Sequence, residues 1–328
     1  MKRKRKILTY FLICCLAVTA IGGCGTKQNV LFENYHVNGS FADDSSVSDI
    51  DYISKDVCVI PKKKQSDPKD ISMTALASMI INESKKEMVY SNNIYKKIYP
   101  ASITKIVTAY VVLDKISSGE NSLDEIVTIS YNASHITESG AVLCGFAKGD
   151  KISLRDLLYS FLICSGNDAG IALAEHIGGD VDTFAAMMNE EMKELGAVHS
   201  HFVNPHGLHD DDHYTTAYDL YLIFRQLIKN DTFLDIIHHG YFVAKFNGAN
   251  GSAKKLSFTS TDRYLTGRAF APAGVEVIGG KTGTTFKAGS CLILYSQNSK
   301  KEKFISVVLK AAGPDDLYRQ MSHLMSME

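Results

Sequence analysis

Three short runs carry side chains suited to nucleophilic and acid–base chemistry. The first is Tyr99-Pro-Ala-Ser102-Ile-Thr-Lys105-Ile-Val-Thr-Ala-Tyr-Val-Val-Leu113, where a serine opens an apolar helical stretch and a lysine follows three residues later. Positions i and i+3 share a helix face, so the Lys105 amine falls within reach of the Ser102 hydroxyl. A hydroxyl is a poor nucleophile until a base takes its proton. A lysine acts as that base only when burial and nearby positive charge pull its pKa down from about 10.4. The helix offers the burial. The charge must come from elsewhere in the chain.

The second run is Ser165-Gly166-Asn167, set directly after the apolar helical stretch Leu157–Cys164. The third is Lys281-Thr282-Gly283-Thr284-Thr285, after the strand-like Val275–Ile278 and Gly279-Gly280. Lys281 is the second cation, Thr282 offers a hydroxyl, and Gly283 lets another backbone or a ligand come close. Taken singly, each run has an ordinary structural explanation: an N-cap serine, a helix-ending turn with Gly and Asn left-handed, an edge-strand lysine. Ser66/Lys69 and Ser252/Lys255 repeat the first spacing, and Ser91, Ser130 and Ser296 repeat Ser-x-Asn. Pro68 prevents a helix between Ser66 and Lys69, and Ser252 sits in a polar loop after Gly251, so only Ser102 opens a buried helix. There its hydroxyl and backbone N–H meet the positive end of the helix dipole.

Together and in this order, the runs match the Ser-x-x-Lys, Ser-x-Asn and Lys-Thr-Gly set of class A β-lactamases and penicillin-binding proteins. The intervals are 63 residues from Ser102 to Ser165 and 116 from Ser165 to Lys281. Tyr99–Ala109, Cys164-Ser-Gly-Asn-Asp-Ala-Gly170, Phe202-Val-Asn-Pro-His-Gly-Leu208 with His213-Tyr-Thr-Thr216, and Gly280–Thr285 with Ala288-Gly289 resemble the D-alanyl-D-alanine carboxypeptidases. These are low-molecular-mass penicillin-binding proteins of bacterial cell walls.

The resemblance implies a role for each residue. Ser102 would be the acylated nucleophile and Lys105 its general base. Ser165 would relay a proton to the leaving D-alanine. Lys281 would supply positive charge and Thr282 would hydrogen-bond the substrate carboxylate. Asn167 would hold the substrate amide, Gly283 would allow close approach, and the backbone N–H groups of Ser102 and Thr284 would form the oxyanion hole. The implied substrate is a peptidoglycan stem peptide, with β-lactam antibiotics as covalent inhibitors and no cofactor. A class A β-lactamase would need a glutamate about 36 residues beyond Ser165. That place holds His201-Phe-Val-Asn204, and Glu190, Glu191 and Glu194 read as the solvated face of an amphipathic helix. A non-catalytic penicillin-binding scaffold would have no need of both lysines.

The positioning elements follow from pattern. Thr74–Ile81 and Glu87–Tyr90 read as strands joined at Asn82–Lys86, a hairpin signal. Ser153 and Thr216 open helices through capping boxes with Asp156 and Asp219. Further helices are expected over Asp168–Ile177 and Thr183–Leu195. Residues 240–270 read as mixed, with loop signals at Asn247–Gly251. Val127–Ile129, Val275–Ile278, Cys291–Tyr295 and Phe304–Leu309 read as extended, and Asp315–Met325 as a closing helix. Strands come first and last, and the three runs must meet. The expected fold is therefore α+β, similar to the DD-peptidases and β-lactamases, with one antiparallel sheet built from the N- and C-terminal strands and an inserted helical region. The 43 residues after Thr285 suit a single-domain form.

The chain has 328 residues, 45% of them hydrophobic and 22% charged, which allows a large core. Lys2, Arg3, Lys4, Arg5 and Lys6 precede the apolar run Ile7–Ile21, which is shorter than the about 20 residues of a membrane span. Ile21-Gly22-Gly23-Cys24 resembles a lipobox. Residues 1–23 thus read as a lipoprotein signal peptide and Cys24 as the lipidation site, giving a membrane anchor outside the cytoplasm. Residues 24–70 read as a tether and 71–328 as the catalytic domain. The formal charge of −1 becomes −6 once residues 1–23 are removed, which argues against a nucleic-acid partner. Cys58, Cys144, Cys164 and Cys291 allow two disulfides, though Cys164 and Cys291 read better as small core residues. His199, His201, His206, His209 and His213 beside Asp210–Asp212 lie in a loop rather than on one helix face, so no metal site is assigned. Arg263 and Arg268 precede the Lys281 strand and read as surface residues.

Overall fold

The computed structural model describes residues 72–328; the expected signal peptide, Cys24, the tether and Cys58 lie outside them. The elements are β1 Ala77–Asn82 and β2 Glu87–Asn92, a 3-10 turn Ala101–Ile103 leading into α1 Thr104–Ser117, β3 Ile126–Thr128, α2 Tyr131–Ser134, β4 Lys151–Ser153 and α3 Leu154–Cys164. Then follow α4 Asn167–Gly178, α5 Val181–Glu194, α6 Ala217–Leu227, α7 Asp231–His238, β5 Tyr241–Asn247, β6 Ala253–Thr259, β7 Val275–Thr285, β8 Gly289–Asn298, β9 Lys303–Ala311 and α8 Pro314–Met325.

Strands from the two ends share one five-stranded antiparallel sheet, ordered β2-β1-β9-β8-β7. The joint is β1 on β9, with Met79 opposite Val307 and Ile80 opposite Ser306. Both strands are nearly continuous apolar runs, as expected where a sheet is covered on both faces. α8 covers one face through Leu317, Met321 and Leu324, packed with Ile80, Leu292 and Val308. The other face carries Met79, Ile81, Ile293 and Val307 into the helical core. The β7–β8 hairpin places Lys281, Thr282 and Gly283 on the outermost strand, opposite Ile293, Leu292 and Cys291. The Lys281 run lies within a long strand, the outermost of the five.

α1 is buried on nearly all sides, with Ile106, Val107, Ala109, Val111, Val112 and Leu113 all enclosed, as suits a central helix. Both N-caps form, the Ser153 hydroxyl accepting from Asp156 N at 3.1 Å and the Thr216 hydroxyl from Asp219 N at 3.0 Å, but the reciprocal half of each capping box does not, because the Asp156 and Asp219 carboxylates accept from Lys245 N and His199 N instead. The mixed reading of residues 240–270 is corrected in part. β5 and β6 form a regular hairpin with Tyr241 opposite Thr259 and Asn247 opposite Ala253. Together with β3 and β4 they make a second, four-stranded sheet. Most positions of β6 face solvent, so the strand carries little apolar alternation to reveal it.

Candidate active site

The turn before α1 sets the site. Ala101 has φ +50, a left-handed conformation that costs a residue with a Cβ on the order of 1–3 kcal/mol and persists only where its surroundings enforce it. Gly207 is part of that enforcement. Its φ is +86, and a Cβ there would lie 1.8 Å from the Ala101 carbonyl oxygen. On the other side β7 presses in, and a Cβ on Gly283 would lie 2.8 Å from Ile103 N and 2.9 Å from Ser102 N. Ser102 is thus held at the end of α1 between two glycine-lined backbones. It lies in the 3-10 turn, and the α-helix proper begins at Thr104.

Lys105 is fully buried. Its Nζ lies 3.0 Å from Ser102 Oγ, 2.8 Å from Asn167 Oδ1 and 2.8 Å from the His206 carbonyl oxygen. The last two are acceptors only. Two amine hydrogens are therefore directed at them, and the third tetrahedral direction points at Ser102. A neutral amine presents its lone pair there. Burial, and then the charge of Lys281, hold the Lys105 pKa well below its ordinary value. These are the desolvation and neighbouring charge that a lysine base requires.

Lys281 is buried too, and its Nζ donates to Ser165 Oγ at 2.9 Å and to the Thr282 carbonyl at 3.0 Å. Burial lowers its pKa to about 7, opposed by Cys164 and Asp262. Ser165 takes the left-handed conformation at the end of α3, with φ +65, while Gly166 is extended and Asn167 helical. The turn expected to use Gly and Asn in that role uses the serine instead. Its hydroxyl is thereby turned back toward β7. The Thr282 hydroxyl donates to Thr261 Oγ1 at 2.6 Å.

Ser102, Lys105, Ser165, Asn167, Lys281, Thr282, Gly283 and the Thr284 backbone are thus drawn together from α1, the α3–α4 junction and β7. Several contributors are invisible in the three runs. The His206 carbonyl is a backbone group with no side-chain signal. Asp168, buried, accepts from the backbone N–H of Cys144 at 2.8 Å and of Gly145 at 2.8 Å, fastening the preceding loop to the Ser165 turn. Asp262 is buried, its Oδ2 has no partner, and its pKa is raised to about 6 by burial.

The histidines partner locally. His213 Nε2 lies 2.7 Å from Thr104 Oγ1 while its Nδ1 accepts from Val203 N at 3.2 Å, and His209 pairs with Asp211. No group of His, Cys, Asp or Glu among the described residues is arranged to hold a metal ion. Arg263 pairs with Asp315 at 2.6 Å, and Arg268 donates to Thr266 and to the Ser260 carbonyl. Cys144, Cys164 and Cys291 are free thiols. Cys291 is a buried core residue as expected, but Cys164 is only half-buried.

This arrangement of sheet, central helix and paired lysines is that of the DD-peptidase fold. A Streptomyces K15 DD-transpeptidase variant superposes with a TM-score of 0.72 at 27% identity, covering 78% of this chain and 97% of that one. The D-alanyl-D-alanine carboxypeptidase DacD from Francisella tularensis gives 0.68 at 27%, covering 83% and 73%. The family model described as D-alanyl-D-alanine carboxypeptidase matches residues 62–313, and the chain belongs to that family. It is similar to D-alanyl-D-alanine carboxypeptidase DacF of Bacillus subtilis, 28% identical over 78% of this chain and 62% of the relative. It is also similar to DacD of Salmonella typhimurium, 30% identical over 79% and 63%. The chain thus spans less than two thirds of the length of these two curated relatives.

Proposed function

We propose that this protein is a serine-type D-Ala-D-Ala carboxypeptidase that removes the terminal D-alanine from peptidoglycan stem pentapeptides. The observation that carries the reading is the Lys105 amine, buried, 3.0 Å from Ser102 Oγ, with its other hydrogens committed to Asn167 and His206. Ser102 Oγ attacks the carbonyl carbon of the penultimate D-alanine while Lys105 takes the hydroxyl proton. Negative charge on the carbonyl oxygen is met by the backbone N–H groups of Ser102 and Thr284. Each such donor contributes about 2.7–4 kcal/mol in a site closed to water.

The C–N bond then breaks. Ser165, hydrogen-bonded to Lys281, passes a proton to the departing D-alanine nitrogen. Lys281 and Thr282 bind its carboxylate, and Asn167 holds the substrate amide. Water hydrolyses the acyl-Ser102 ester and frees the shortened peptide. A β-lactam enters by the same attack, opening its ring with the leaving nitrogen still tethered, and so remains as a covalent inhibitor.

The basic and apolar pattern of residues 1–23 and the Gly22-Gly23-Cys24 sequence support a lipoprotein anchored at Cys24 on the outer face of the cell membrane. Residues 24–70 would tether the catalytic domain 71–328 to that surface. The test of activity is release of D-alanine from a peptide ending in D-Ala-D-Ala. Wild type should release it and Ser102→Ala should not; release by Ser102→Ala, or none by wild type, would overturn the reading.

A further inference from the structure

Two thiols that the reaction above does not use sit beside its polar residues. Cys164 ends α3, immediately before Ser165, and Cys144 lies in the loop that Asp168 fastens down. Each thiol lies against the segment of chain that carries the other. The packing around them is close. Cys164 Sγ lies 3.8 Å from the Leu143 carbonyl oxygen, and Cys144 Sγ lies 3.6 Å from the Ser160 carbonyl oxygen within α3. Asn167 N donates to the Val142 carbonyl at 2.7 Å. A Cβ on Gly166 would fall 2.2 Å from Cys144 Sγ, so the thiol fits under the Ser-Gly-Asn turn only because Gly166 has no side chain.

We propose that Cys144 and Cys164 are a redox-sensitive pair that a peroxide closes into a disulfide, slowing acylation of Ser102. The half-buried thiol is Cys164 and the buried one is Cys144, which divides the chemistry between them. The Cys144 thiol and the charges of Lys281 and Lys105 lower the pKa of Cys164, while burial raises that of Cys144. Thiolate is the reactive form, so Cys164 attacks the peroxide. One oxygen transfers to its sulfur and the other departs as water, leaving a sulfenic acid. The Cys144 sulfur then attacks that sulfur and the hydroxyl leaves as a second water. Two thiols and one hydrogen peroxide give one disulfide and two waters.

The new bond draws the 142–146 loop and the end of α3 together. Ser165 and Asn167 follow directly in the chain, and their contacts to Lys281 and Lys105 are 2.9 and 2.8 Å. Displacing a positioned catalytic group by about 1 Å can cost on the order of 10²-fold in rate.

The test treats the full chain with hydrogen peroxide, blocks free thiols with iodoacetamide after denaturation, and maps Cys144 and Cys164 by mass spectrometry. Acylation by a fluorescent penicillin is followed in parallel. The expected result is a Cys144–Cys164 linked peptide pair, acylation slowed at least tenfold, and recovery with dithiothreitol. Cys144→Ser should acylate normally when reduced, and neither Cys144→Ser nor Cys164→Ser should form such a link. Two fully alkylated thiols after peroxide, or a link with unchanged acylation, would overturn the proposal. The acylation arm rests on Ser102 as nucleophile. If the reduced chain takes no penicillin, that reading fails and the thiol map still decides the pair.

Discussion

The amine of Lys105 and the hydroxyl of Ser102 lie 3.0 Å apart in a site where the amine's other partners, Asn167 Oδ1 and the His206 carbonyl, can only accept. That asymmetry aims the lone pair of the neutral amine at the serine proton. It gives the Lys105→Ala variant a clear expectation. Acylation by penicillin should fall about 10²–10⁴-fold, the usual contribution of a positioned base, while thermal unfolding stays cooperative. Acylation at the wild-type rate would refute the assignment.

The two lysines titrate with opposite consequences. In the proposed reaction Lys105 must lose its proton to act, so kcat/KM should rise with pH on the acid side. In the same reaction Lys281 must keep its proton to attract a carboxylate, so kcat/KM should fall on the alkaline side near its pKa of about 7. The negative charge of Asp262 raises that pKa. Asp262→Asn should therefore move the alkaline limb to lower pH and leave the acid limb in place. A pH–rate profile of both proteins checks this, and an unmoved alkaline limb would exclude Lys281 as its source.

Burial of Lys281 also makes folding sensitive to pH. Its folded pKa of about 7 lies below its ordinary value of 10.5, so between these values the unfolded chain binds more protons. Stability from this group consequently rises with pH across that window, by up to about 1.4 kcal/mol per pH unit. Lys281→Met should lack the increment. Urea midpoints at pH 7 and 8.5, compared between the two proteins, measure it. Parallel pH dependences would contradict the shift.

Gly283 offers a steric test of how β7 meets the Ser102 turn. An added methyl would sit 2.8 Å from Ile103 N and the Pro100 carbonyl and 2.9 Å from Ser102 N. All of these are backbone atoms that cannot swing aside, so strand and turn must separate. Gly283→Ala should lower the acylation rate about 10²-fold with only a modest fall in Tm. Unchanged acylation would mean that the turn does not depend on β7 for its position.

The residues that the structure brings together were legible in the sequence through three motif runs matched jointly, and only the Ser102–Lys105 spacing follows from local geometry. Ser102 and Lys105 share a helix face, and Lys281 supplies the charge that the pair lacks. The joining of terminal strands was legible because the runs had to meet. What the sequence hid was backbone and environment. The His206 carbonyl has no residue-type signature, and Asp262 acts on Lys281 through its charge, with no motif to mark it. Nothing in the sequence identified Ser165, rather than Gly166 or Asn167, as the left-handed residue. The β5–β6 hairpin escaped because β6 is largely solvated, so its alternation of apolar and polar residues is faint.

In the proposed reaction Ser102 becomes the acyl carrier when Lys105 takes its proton. Peptide mapping by mass spectrometry after incubation with labelled penicillin tests it most directly. The expected result is a long-lived adduct on Ser102, abolished in Ser102→Ala. An adduct on any other residue, or rapid turnover of the penicillin with no adduct, would contradict it.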